Sequence, residues 1–238
     1  MAPNGHVLKS TLSNGVAIYG KNTPGYGGRG VYLYRDEIEP ELQLVEDLLD
    51  PDSVFVDIGA NTGVYSLKVA KRLYKGIVIS IEPIPELLSM LQHSLEENKF
   101  NNIRLRNLCV GRKTEARTLW SNGNRPCSFS ISCKIGEPVG ISVLTVALDD
   151  LFEWEGLGRL DYLKIDAEGA ETEILEGGLE TLQTYRPIVQ LETIAKDAAL
   201  PLEAYLEFKL PYSPNKICVP EEHPKRSVLE QTRGCCLL

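Results

Sequence analysis

The sequence predicts an α/β fold: a mostly parallel sheet with helices on both faces, closed by a terminal antiparallel hairpin. Three observations predict it. Short apolar runs rich in Val and Ile recur at residues 54–56, 77–81, 103–110, 161–165 and 187–191, as in strands buried on both faces. Stretches with helical spacing separate most of them, and alternating strands and helices favour a parallel sheet covered on both sides. A glycine turn follows the first central run directly, at Gly59 and Gly63.

Taken in order, residues 7–19 read as a β-hairpin, because two β-prone runs flank Ser13-Asn14-Gly15 and Asn-Gly is a strong hairpin turn signal. Residues 20–30 are rich in glycine and read as a loop. Leu42, Val45, Leu48 and Leu49 are spaced for a helix over 41–49, which Asp50-Pro51-Asp52 stops before the first central strand. A helix continues over 66–73 after the glycine turn. Pro85 suits a helix N-terminus, and that helix runs to Asn98 with Ile84, Leu88, Leu91 and Leu95 as its apolar stripe and His93 on the exposed side. Residues 103–110 form the third strand. Residues 111–147 break the alternation and read as a β-rich insertion. The fourth strand spans 161–165, followed by a helix burying Ile174 and Leu175 and interrupted at Gly177-Gly178. The fifth strand spans 187–191. Residues 205–210 and 216–219 suit the closing hairpin, and Pro201 leaves room for only a short helix before it.

The chemistry concentrates at the ends of the strands. After Val54-Phe55-Val56 come Asp57, Gly59, Asn61 and Gly63. Glycine permits a sharp turn and a close backbone approach, Asn61 tolerates a left-handed conformation, and a helix N-terminus offers free N–H groups. Glu82 ends the second apolar run, roughly 20 residues past the turn, where an acid can accept both ribose hydroxyls of a nucleotide-like ligand. Asp166 and Glu192 end later strands, and Glu168 lies just beyond Asp166. The bland alternative is that such carboxylates cap the following helices, which suits Glu168 best.

The turn reads DIGANTG, with no middle glycine and an acid two residues before the first glycine. Together with IEP at residues 81–83, LDDL at 148–151 and DYLKIDAEGAE at 161–171, it resembles the FkbM family of class I S-adenosylmethionine-dependent O-methyltransferases. The resemblance spans residues 31–191. It implies a Rossmann-like class I methyltransferase sandwich and S-adenosyl-L-methionine as cofactor. Residues Asp57, Gly59, Asn61 and Gly63 would then hold its methionine end, Glu82 the ribose, and the third strand around Cys109 would border the adenine. Asp166 and Glu168 become the candidate catalytic carboxylates. The implied acceptor is a hydroxyl on a small molecule or saccharide, with the insertion at 111–147 covering it and Ser128 and Ser130 offering contacts. No metal site is expected.

With 238 residues, the chain suits one domain: a lead-in over 1–40, a methyltransferase domain over 41–220 and a tail over 221–238. The net charge of −8 and the pI of about 5.1, without a long basic run, argue against nucleic acid as substrate. The six cysteines include no metal-spaced CxxC pair. No signal core or membrane-length apolar run is present, so a cytoplasmic protein is expected. The closing Cys235-Cys236-Leu237-Leu238 fits a prenylation box, which would give a lipid-anchored pool in a eukaryotic host. The enzyme alternative is an NAD(P)-dependent oxidoreductase, disfavoured by the missing middle glycine. The non-enzyme alternative is a cofactor-binding scaffold, disfavoured by the intact Asp57 and Glu82 positions.

Overall fold

A computed structural model describes residues 3–23, 27–122, 125–130, 140–167, 169–192 and 200–238. For residues 121–122 and 125–130 it describes the backbone alone. The chain opens with β1 (Val7–Thr11) and β2 (Ala17–Lys21), an antiparallel hairpin around Ser13-Asn14-Gly15. Next come α1 (Gly28–Tyr34), two short 3-10 turns at Arg35–Ile38 and Pro40–Gln43, and β3 (Val54–Ile58). Then follow α2 (Val64–Arg72), β4 (Ile77–Ile81), α3 (Pro85–Asn98), β5 (Ile103–Arg106) and β6 (Cys109–Gly111). The accessory strands are β7 (Glu115–Asn122), β8 (Arg125–Ser130) and β9 (Gly140–Ala147). After them come α4 (Leu148–Glu155), β10 (Tyr162–Ile165), α5 (Glu171–Glu176), α6 (Leu179–Tyr185) and β11 (Ile188–Glu192). The chain ends with β12 (Tyr205–Lys209), β13 (Asn215–Pro220), α7 (Arg226–Gln231) and β14 (Cys236–Leu237).

The central sheet has eight strands in the order β14-β12-β13-β11-β10-β3-β4-β5. Strands β11, β10, β3, β4 and β5 pair in parallel. Antiparallel β13, β12 and β14 extend it, so the expected closing hairpin is present as β12–β13 and the tail adds one short edge strand. From β3 the chain winds outward through β4 and β5, then returns to the other side of β3 as β10. The order therefore reverses between β3 and β10, where α/β sheets open a crevice beyond the strand ends.

Strand alternation sorts the core into two layers. Phe55, Val78, Tyr162, Ile188 and Ile217 face α2 and the segment 41–49, where Leu42, Val45, Leu48 and Leu49 are buried. Val56, Ile79, Leu163 and Val189 face α4, α5 and α6. Every residue of β3 is buried, as expected of a strand covered on both faces.

Four expectations need correction. Residues 41–49 bury the expected side chains but do not form an α-helix. Their backbone mixes i+3 bonds (Leu44 N–H to Glu41 O, 2.9 Å) with i+4 bonds (Val45 N–H to Glu41 O, 3.0 Å), so tight turns satisfy the same apolar spacing. The glycine-rich stretch is shorter than a 20–30 loop, since β2 reaches Lys21 and α1 starts at Gly28. The third strand splits in two. β5 stays in the central sheet, while β6 leaves it to pair with β9 in a four-stranded sheet, β6-β9-β7-β8. Asn107 fixes that departure by donating to the carbonyls of Glu82 and Pro83, both at 2.9 Å. Finally, α3 buries Leu87, Leu91 and Ser94, with Leu88 and Leu95 half-buried. The cause is β2, whose outer edge lies on this helix. Ser94 Oγ accepts the Tyr19 N–H (2.9 Å), and Asn98 both accepts the Ala17 N–H (2.9 Å) and donates to the Ala17 carbonyl (2.6 Å). His93 is exposed, as expected, and meets the Tyr19 ring edge-on. Of the span 198–204, where the sequence left room for only a short helix, residues 198 and 199 lie outside the described residues, and residues 200–204 form bends with no helical turn.

Side chains one helical turn apart thus satisfy an open strand edge. Asn98→Ala removes both bonds to Ala17, and unfolding in urea should show about 1–3 kcal/mol of lost stability. Hydrogen exchange at the Ala17 amide should speed up in the same variant; unchanged exchange would show that the hairpin is held elsewhere.

Candidate cofactor site

A cavity opens at the carboxyl ends of β3, β4 and β10 and extends to β6 and β7. Gly59, Asn61, Glu82, Cys109, Leu119 and Asp166 are among its lining residues. The glycine turn is held from two sides. The carbonyl of Ile81, last in β4, accepts the N–H groups of Gly59 and Ala60, both at 3.0 Å. On the other side, a Cβ on Gly59 would stand 1.8 Å from the Asp166 carbonyl oxygen. Gly59 also has φ +77°, so position 59 excludes a side chain by both torsion and space. Asn61 adopts the left-handed conformation at φ 52°, as the sequence suggested. Gly63 caps α2, and a Cβ there would strike Leu91.

Glu82 is buried against the cavity. Its two oxygens accept the N–H groups of Asn61 and Ile84, each at 2.8 Å. Burial pushes its carboxyl up to about 7, helped by the charges of Asp57 and Asp166 and opposed by the two N–H bonds. Cys109 lines the same cavity as a neutral thiol, pushed up to about 12 by burial and then by the Glu82 charge. Asn61 Oδ1 is buried and has no hydrogen-bond partner among the described residues.

Asp57 stands outside the cavity lining and is fully buried. Its Oδ2 accepts from the Ser66 hydroxyl (2.6 Å) and N–H (3.2 Å), and Oδ1 lies 3.7 Å from Lys164 Nζ. Burial raises its pKa. Asp166 lines the cavity, with Oδ2 3.1 Å from Lys164 Nζ. Glu168 lies outside the described residues, and so do the side chains of Ser128 and Ser130. The structure thus brings Gly59, Asn61, Glu82, Cys109 and Asp166 around one cavity, with Asp57 and Gly63 in its supports.

Residues 57–211 match the methyltransferase FkbM domain. The chain belongs to that family. Among its curated relatives, "2-O-methyltransferase NoeI" of Sinorhizobium fredii (strain NBRC 101917 / NGR234) is 27% identical over 195 residues, covering 75% of this chain and 79% of the relative. "Methyltransferase 1" of Beauveria bassiana (strain ARSEF 2860) is 25% identical over 145 residues, covering 53% of this chain and 58% of that one. The crystal structure of methyltransferase FkbM from Methylobacillus flagellatus KT superposes with a TM-score of 0.51 at 16% identity, over 81% of this chain and 53% of that chain. The putative methyltransferase yhhF from Escherichia coli gives 0.50 at 11% identity, over 89% and 96%. This chain therefore spans a little over half the length of the Beauveria and Methylobacillus proteins. The fold is that of the class I S-adenosylmethionine-dependent methyltransferases.

In and beside this FkbM domain, sequence reasoning assigned no role to several residues of the site. Lys164 is buried and lies between carboxylates. Burial pulls its ammonium down, but Asp166, Asp57 and Glu39 together hold it above the ordinary lysine value. Its ammonium also lies 5.0 Å from the centre of the Tyr65 ring. Tyr65 donates to Glu39 Oε2 (2.7 Å) and accepts from Gln190 Nε2 (3.0 Å). Burial raises the Glu39 carboxyl. Glu171 Oε1 accepts the N–H groups of Ala167 (3.2 Å) and Gly169 (3.1 Å), cinching the turn after β10. Lys164 and Glu171 both fall inside the KIDAEGAE segment. The signal for Lys164 was its i,i+2 spacing from Asp166, which puts both on one face of a strand.

Removing one partner from a buried ionic cluster leaves uncompensated charge. Lys164→Met should therefore cost about 3–5 kcal/mol of unfolding free energy at pH 8. The sign with pH follows from Asp57 and Glu39, whose folded pKa values lie above their unfolded ones. Their charged forms are costly in the fold, and protonation relieves that cost. The deficit against the parent should shrink as pH falls from 8 toward 5, and an equal deficit at both would refute the role of Lys164 as their counter-ion.

Proposed function

We propose that this chain is an S-adenosylmethionine-dependent methyltransferase that methylates a hydroxyl on a small molecule or saccharide. The observation that carries this reading is Glu82. It is a cavity carboxylate whose two oxygens are each fixed by a backbone N–H, one of them from the glycine turn. That arrangement suits two vicinal ribose hydroxyls as donors. The cavity also fits the rest of such a ligand. Asn61 lines the cavity, and its Oδ1 has no hydrogen-bond partner among the described residues, which suits an ammonium or amide donor at the methionine end. Cys109, Ile84 and Leu87 are apolar neighbours for a base. Family membership and the name of the NoeI relative support transfer to oxygen, and the net charge of −8 disfavours a polyanionic acceptor.

When bound, S-adenosylmethionine supplies an activated methyl on a sulfonium. The residues of the chain do the remaining work. Glu82 and the turn from Gly59 to Asn61 orient the cofactor. Asp166 lines the cavity with Oδ2 held by Lys164, and its carboxylate can accept the acceptor's proton as the O–C bond forms. Glu168 follows two residues on and is a second candidate for that role. Holding oxygen and methyl about 3–3.5 Å apart and in line is the larger contribution.

Two outcomes test this reading. The Glu82 carboxyl, pushed up to about 7, takes up a proton as pH falls through that value and then accepts hydrogen bonds less well. Calorimetric affinity for S-adenosylmethionine should therefore rise between pH 6 and 8 in the parent. Glu82→Ala should weaken it tenfold or more, about 1.5–3 kcal/mol, and should flatten the pH dependence. Parental affinity in that variant would remove the cavity assignment. Asp166→Asn preserves shape while losing charge, so labelled-methyl transfer to a panel of polyols and saccharides should fall about 10²–10⁴-fold with cofactor affinity nearly kept. Equal turnover would leave positioning alone to carry the reaction.

A further inference from the structure

Residues 1–40 precede the matched domain, yet they are bonded to α2 along its length. Glu39 Oε2 accepts the Tyr65 hydroxyl at 2.7 Å, Asp36 pairs with buried Lys68, and Asn14 Nδ2 donates to the Lys68 carbonyl at 3.3 Å. Further along the helix, Lys71 donates to the Asn14 carbonyl. Asp36 is itself tied to the hairpin, because its Oδ2 accepts the Ser13 N–H at 2.7 Å. The lead-in is thus braced against the helix that follows the glycine turn.

The brace ends on the turn itself. Where β2 meets the start of α1, backbone lies on backbone: a Cβ on Gly28 would stand 2.6 Å from the Gly20 Cα, and one on Gly20 would stand 3.1 Å from Thr62 Cγ2. Gly27 caps α1 at φ +64° and lies against Asn61. A Cβ there would stand 2.6 Å from Asn61 Oδ1 and 3.1 Å from Thr62 Oγ1. Asn61 Oδ1 is the far end of a rotatable side chain, so a methyl at position 27 is met by turning the amide away and not by moving the backbone. That oxygen is also buried without a hydrogen-bond partner among the described residues. A buried acceptor without a donor is costly, and a ligand donor placed on it removes the cost.

We infer that Gly27 is a positioning residue of the cofactor site: by leaving space beside Asn61 it fixes where the amide presents Oδ1, and so sets affinity for the charged amino-acid end of the cofactor. This rests on the cofactor reading above and extends it to a segment outside the matched domain.

Calorimetry with two ligands tests it. S-adenosylhomocysteine carries the amino-acid end, and 5′-methylthioadenosine carries the same nucleoside and thioether without it. Gly27→Ala should weaken S-adenosylhomocysteine about tenfold or more, the loss of one hydrogen bond to a charged group, and should leave 5′-methylthioadenosine at parental affinity. Gly156→Ala controls for the torsion. Gly156 has φ +63°, and a Cβ there would meet nothing within 4 Å. It carries the same kind of backbone strain, so it should lower the melting temperature to a similar extent and bind both ligands like the parent. Asn61→Gly should lose the same factor for S-adenosylhomocysteine, and adding Gly27→Ala to it should lose nothing more, since both changes act through one contact. Parental S-adenosylhomocysteine affinity in Gly27→Ala, an equal loss for both ligands, or full additivity with Asn61→Gly would overturn the inference while leaving the Glu82 assignment intact. A parent that bound neither ligand would overturn both.

Discussion

The site depends on how the end of β4 grips the turn after β3. Ile81 lends its carbonyl to two successive N–H groups, and Glu82 takes a third with its carboxylate. The turn can lie that close only because Gly59 has no side chain to meet the Asp166 carbonyl. Three strand ends are thereby locked into one rim. The lock has a cost: Glu82 is buried, and its carboxyl is pushed to about 7. A ligand that donates hydrogen bonds to Glu82 offsets that cost, which favours binding.

Beneath the rim, charge is arranged unevenly. Lys164 is the buried cation among Asp57, Asp166 and Glu39, and the excess of carboxylates leaves the region negative. A negative region favours a sulfonium over the thioether left after transfer. The same cluster holds α2 through Ser66 and Tyr65, which joins the electrostatics of the proposed site to the packing of the helix that follows its turn. Asp57 acts through these supports and not through the cavity wall.

Most of this frame was legible in the sequence because strand ends are local features. Val54-Phe55-Val56, the DIGANTG turn and the Ile81-Glu82-Pro83 step announce strand, turn and acid within a few residues, and Asp166 follows from the same rule. What could not be read depends on contacts between distant segments. Residues 103–110 look like one strand because both halves are β-prone, and the break comes from Asn107 bonding to Glu82 and Pro83. The buried stripe of α3 turns toward Ser94 because a hairpin edge from the lead-in docks there. Glu39 and Leu119 reach the site from flanking elements whose placement no periodicity encodes. The acid at Asp57 was visible, but its complete burial followed only from Ser66 and Lys164 closing over it.

The central claim is that Glu82 receives the ribose of S-adenosylmethionine in this cavity. A crystal structure of the chain with S-adenosylhomocysteine tests it most directly. The account predicts both ribose hydroxyls within hydrogen-bond distance of the Glu82 carboxylate, with the base toward Cys109 and the amino-acid end toward Asn61. A nucleoside bound elsewhere, or reversed so that its base lay against Asn61, would contradict it.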